Sequence, residues 1–276
     1  MADQPVGVFD SGVGGLTVLH ELLVSLPAED YLYLGDTARF PYGDRTQAEL
    51  QTFAIEIAEH LLAAGAKLLV IACNAASSAA LPAVEARLAR DGRDIDVIGV
   101  VGPATQLAVA GSHSGRIGLM ATPATVASGA YVRAVYAADP HVHLESVACA
   151  DLAPIIQGGF PFDEHVVETV RGYCVPLRDA HVDTVILGCT HFPLVAPMLQ
   201  RSLGRGVTLV TSGGGVARGV ERALASRDLV NPRNGEGTYR FLCTGDVDSF
   251  RTLGTRFLQM PLGDVAHVDL AARAAA

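Results

Sequence analysis

The sequence reads as an α/β protein of two similar lobes, each a mainly parallel sheet flanked by helices, with an active site in the cleft between them. Three observations carry that expectation. Short apolar runs alternate with longer amphipathic stretches along the chain, the βαβ signature of parallel sheets covered by helices. Nearly every run is followed by a small polar or acid/base residue, and in such sheets ligands sit outside the carboxyl ends of the strands. Two of these ends look like copies of one another: LLVIA leads into Cys73-Asn74, and TVILG into Cys189-Thr190-His191.

Taken in order, strands are expected at 6–9, 31–34, 68–72, 97–100, 117–121, 184–188 and 208–210, and helices over 46–64, 78–90, 126–137 and 163–180. The first lobe is expected to comprise 1–98 plus 210–276, and the second 99–209. Of 276 residues, 50% are hydrophobic and 18% charged, enough for a sizeable core and unlike a disordered chain. A net charge of −9 opposes a broad phosphate-binding surface, so nucleic acid is not an expected partner. No basic leader opens the chain and no apolar run approaches membrane-spanning length, so no membrane partner is expected and the location is read as cytoplasmic.

Five cysteines, an odd number, argue for free thiols rather than a disulfide framework. None pairs at CxxC spacing and no histidine set joins them, so no metal is expected; His141 and His143 read as a solvated loop pair. Cys149, Cys174 and Cys243 read as packing residues. Cys73 and Cys189 differ, because each ends a strand and is followed by donors that can bind an anion or tune a thiol. Two thiols from two lobes suit the removal of a proton from one face of a carbon and its return to the other. Asp10, near Cys73, and His191, near Cys189, are the expected assistants; the imidazole either lowers its thiol's pKa or relays the proton.

Asp10 could instead cap a helix. The glycine run that follows it departs from GxGxxG, so a dinucleotide is not expected; its glycines would let backbone N–H groups approach a carboxylate. A pyridoxal cofactor needs a lysine, and the single lysine, Lys67, precedes a strand rather than following one. Cofactor-free chemistry is expected.

In order and spacing, FDSGVGGLTV, LGDTARFPYG, IACNAAS, MATPATVASGAY, ILGCTHFPL and the late CTGD resemble the glutamate racemases, members of the aspartate/glutamate racemase family. The resemblance covers most of the chain. It implies that Cys73 and Cys189 are the catalytic acid/bases of a two-base glutamate racemase, with Asp10 and His191 assisting. It also implies that Ser11, Pro41, Tyr42, Gly43, Asn74, Ala75, Thr122, Thr125 and Thr190 bind the substrate. D-glutamate for peptidoglycan would be the product, and family members often form homodimers, which composition neither supports nor opposes.

The chain departs from the family pattern at four places. Ala75 stands where threonine is usual, Gln157 where glutamate is usual, Gly102-Pro103 for a glutamate-proline pair, and Thr211-Ser212 in the late Asp-Ser block. Those departures leave open a racemase for aspartate or another small acidic substrate, and a non-catalytic amino-acid-binding protein on the same scaffold. A thiol redox protein would need the two cysteines at disulfide distance, which a substrate between them would prevent.

Overall fold

The computed structural model describes residues 1–159 and 163–270; the 271–276 end of the expected first lobe lies outside them. The chain lays down β1 (Val6–Asp10), β2 (Tyr31–Gly35), β3 (Leu68–Ile71) and β4 (Val97–Gly99), then β5 (Arg116–Ala121), β6 (His143–Ala148), β7 (Thr184–Gly188) and β8 (Thr208–Val210), and returns with β9 (Tyr239–Cys243) and β10 (Val265–His267). Among the described residues these form a six-stranded sheet ordered β10-β9-β2-β1-β3-β4 and a four-stranded sheet ordered β6-β5-β7-β8. Every strand pair is parallel.

The central strands β1, β2, β3 and β7 are buried along their whole length, as strands covered by helices on both faces must be. The helices are α1 (Leu16–Ser25), α2 (Gln47–Ala63), α3 (Asn74–Arg90), α4 (Val101–Gly111), α5 (Pro123–Ala127), α6 (Ala130–Ala138), α7 (Leu152–Gln157), α8 (Glu164–Asp179), α9 (Ala196–Leu203), α10 (Gly213–Ser226) and α11 (Val247–Leu258). The entry to α2 is fixed by a reciprocal cap between Thr46 and Glu49.

The structure adds three strands, β6, β9 and β10, that the sequence reading did not expect, and differs from it at three places. The helix expected over 126–137 is two helices, broken at Gly129, whose φ of +65° only glycine adopts cheaply. Helix α3 starts four residues earlier than 78, at Asn74, because Asn74 through Ala80 are all buried and give no polar face to read. His143 is not in a loop: it opens β6, with its side chain in solvent.

Lys67 lies just before β3, at the edge of the sheet opposite the strand ends that carry the cysteines. Its buried Nζ donates to Glu29 Oε2 (2.6 Å), to the Leu229 carbonyl (2.8 Å) and to the Ala2 carbonyl (2.5 Å). It is a structural pin, far from any chemistry at the strand ends.

Candidate active site

Cys73 and Cys189 both line one cleft, together with residues from both sheets. Cys73 follows β3 and occupies the cap position of α3, so the first-turn amides of a 17-residue helix open beside its sulfur. Cys189 directly follows β7. Each thiol is nearly buried, and burial pushes both above the ordinary thiol range; Cys73 rises to about 12, with the Asp10 charge as the second cause.

Asp10 ends β1, is fully buried and does not itself line the cleft. It caps no helix, since α1 begins only at Leu16. Its Oδ1 accepts from the Gly12 amide (2.9 Å) and its Oδ2 from the Thr190 hydroxyl (3.2 Å). The glycine run therefore wraps the Asp10 carboxylate itself. A Cβ at Gly14 would lie 2.3 Å from Thr190 Oγ1, so this position lets the lobes meet, and one at Gly15 would lie 2.5 Å from Asp10 Cβ, so that position lets the run fold back onto β1. Burial raises the Asp10 carboxyl to about 6 despite those donors.

His191 lies beside Cys189, with Nδ1 3.8 Å from Sγ. Its Nε2 is 2.8 Å from Oε1 of Gln157, at the end of α7. With an amide oxygen as partner, Nε2 carries the proton and Nδ1 keeps its lone pair toward the thiol. Burial lowers the imidazole to about 4, so it is neutral near pH 7. The Phe40 ring, 5.7 Å away, and the edge-on Phe257 ring, 5.1 Å away, confine it.

Of the other expected site residues, Ser11, Pro41, Tyr42, Gly43, Asn74, Ala75, Thr122 and Thr190 line the cleft. Thr125 does not: it is buried behind Thr122, oxygen to oxygen at 3.1 Å. Asn74 accepts from the Tyr131 hydroxyl at 2.6 Å, while its Nδ2 is buried with no protein partner. Tyr42 directs its hydroxyl away from the cleft chemistry, to Asp36. Phe40, Asp44, Ala150, Ala153, Pro154 and Gly188 also line the cleft and carried no signal in the sequence beyond lying near the motifs. Thr211 and Ser212 line a neighbouring groove instead.

Residues 14–217 match the family described as Asp/Glu/hydantoin racemase. The chain belongs to this family. A glutamate racemase of Beutenbergia cavernae is 44% identical over 96% of this chain and 93% of its own length. Among solved structures, a glutamate racemase isoform of Bacillus anthracis superposes with a TM-score of 0.91 at 35% identity, covering 98% of this chain and 99% of that one. The Francisella tularensis glutamate racemase in complex with D-glutamate gives 0.91 at 32% identity, covering 99% and 100%. The α/β fold of these racemases thus extends over nearly the whole chain, and the cleft is lined by residues that follow strands of both sheets.

Proposed function

We propose that this protein interconverts L- and D-glutamate without a cofactor, Cys73 and Cys189 serving opposite faces of Cα. The observation that carries the reading is the pairing of two buried thiols on one cleft, each with its own buried acid/base neighbour. One sulfur takes the Cα proton as the other delivers its own from behind, and the reverse reaction exchanges the roles.

Ionising a thiol whose pKa is about 12 at pH 7 costs about 7 kcal/mol, so both thiols are protonated in the empty cleft. The ammonium of the incoming amino acid offsets part of that cost. His191 Nδ1 then accepts the Cys189 proton, while Asp10, with a carboxyl poised near neutrality, assists Cys73. Among the described residues no lysine or arginine lines the cleft. Substrate carboxylates are therefore held by dipoles: the unpaired Nδ2 of Asn74, the hydroxyls of Ser11, Thr122 and Thr190, and the first amides of α3. Ala75 contributes its backbone N–H in place of a hydroxyl.

The relatives' names favour glutamate over aspartate as the substrate. D-glutamate made in this way would feed peptidoglycan assembly, from a cytoplasmic enzyme. Among the described residues no helix is long and apolar enough to cross a membrane. A homodimer belongs to the same proposal and is decided by sedimentation. Incubation with L-glutamate, and separately L-aspartate, in D₂O without added cofactor tests the chemistry. Deuterium at Cα and D-glutamate are expected from the wild type and not from Cys73→Ala or Cys189→Ala; no exchange with either substrate would end the proposal.

A further inference from the structure

Asp36 and Thr244 take no part in the chemistry above, yet Asp36 is fully buried at the carboxyl end of β2 and Thr244 belongs to the late CTGD segment that follows β9. We infer that Asp36 and Thr244 are positioning residues, which together latch the 37–43 loop so that Phe40 to Gly43 form one wall of the substrate cleft. The inference rests on the racemase reading and extends it to residues 208 positions apart in sequence.

Asp36 has both oxygens engaged. Oδ2 accepts from the Tyr42 hydroxyl and from Arg39 Nε (2.6 Å), and Oδ1 accepts from the Thr244 hydroxyl (2.7 Å). The same Thr244 oxygen accepts from the Ala38 amide at 3.0 Å, and the Gly245 amide donates to the Thr37 hydroxyl at 3.0 Å. A Cβ at Gly245 would stand 2.7 Å from that hydroxyl, so the two segments meet where only glycine fits. Arg39 balances the buried carboxylate and is itself tied to Glu56 (2.5 Å) and stacked over Phe53 at 4.1 Å.

The loop's other side faces the chemistry. Tyr42 packs in the same apolar cluster as Cys73 and Ala75. Phe40 lies against His191, and the Gly43 carbonyl accepts from the Ala124 amide of α5 at 2.9 Å. The loop thus touches the second lobe at its middle and at its C-terminal end, and its first-lobe anchor is the Asp36 network. Burial and the Asp36 charge keep the Tyr42 hydroxyl neutral, so it is held as a donor to Asp36 and leaves the ring and backbone to the cleft.

Thr244→Val removes the hydroxyl at nearly constant volume, Thr244→Ser restores it, and Asp36→Asn removes the charge. For the Val and Asn variants we expect KM for glutamate to rise about tenfold or more while kcat falls less than about threefold, as expected when a charge-assisted hydrogen bond that holds a binding wall is lost. Iodoacetamide should alkylate Cys73, mapped by mass spectrometry, about fivefold faster or more in both, because a loosened wall uncovers the thiol. The Ser variant should behave as wild type in both readouts. A folded Thr244→Val protein with unchanged KM and unchanged Cys73 alkylation would overturn the inference, whatever its melting temperature. If the wild type shows no turnover, the racemase reading fails, and alkylation alone, which needs no substrate, decides the latch.

Discussion

Replacing Gln157 by glutamate puts a carboxylate where a neutral amide now meets Nε2 of His191 at 2.8 Å. Two unit charges about 4 Å apart at an effective dielectric constant near 20 interact by about 4 kcal/mol, and residue 157 is half-buried, so about half of that is retained. About 2 kcal/mol corresponds to about 1.5 pKa units, which lifts His191 from about 4 to about 5.5. The assay is an NMR titration of the His191 ring in the two proteins. It is accompanied by alkylation of Cys189, with Cys73 as the internal reference, near pH 5.5, where an imidazolium would stabilise the neighbouring thiolate. The stability consequence has a definite sign. The folded pKa of His191 lies below its unfolded value, so its contribution is complete above about pH 6.5 and is lost as pH falls toward 4. Gln157→Glu should narrow that window and make the protein more resistant to acid. A His191 midpoint within about 0.5 unit of wild type would refute the argument that the neutral partner, as well as burial, keeps this imidazole uncharged.

Asp10 behaves in the opposite sense, because its folded pKa of about 6 lies above the ordinary aspartate value of 3.8. Stability is lost as pH rises between those values, by about 3 kcal/mol at neutral pH. Asp10→Asn should therefore raise the melting temperature at pH 7.5, leave it nearly unchanged at pH 4, and reduce racemisation; an unchanged melting temperature at both pH values would contradict the burial argument. Lys67→Met strands the buried Glu29 carboxylate and should cost about 3–5 kcal/mol in urea unfolding. Adding Glu29→Gln should recover part of that loss, and turnover per folded molecule should stay the same in both.

The parts of the fold legible in the sequence are those where burial is uniform. β1, β3 and β7 are continuous apolar runs because helices cover both faces, and the cysteines after β3 and β7 stood out because they end such runs. β6 and β10 lie at sheet edges with largely exposed or half-buried side chains, and β9 is interrupted by the exposed Arg240, so none of the three forms an apolar run. Helix α7 is short, and only the folded chain brings its terminal Gln157 to His191, 34 residues away. The Asp36 network was illegible for the same reason. Asp36 and Thr244 each look like an ordinary strand-end polar residue until β2 and β9 lie side by side. The glycine run was read as a cradle for a carboxylate, and it is one, but the carboxylate is the protein's own.

The pin beneath the first sheet has a consequence for the chemistry that can reach this protein from outside. Its lysine is the only one in the sequence, and the side chain is 1% exposed. The folded protein therefore offers no lysine amine to acylating enzymes, to ligases that build isopeptide tags, or to amine-reactive dyes. A modified Lys67 would record that the molecule had been open, or had been modified before it closed. Timed exposure to an acylating reagent, read at Lys67 by peptide mapping so that the exposed N-terminal amine is counted apart, would then report the opening of the first lobe at a single position.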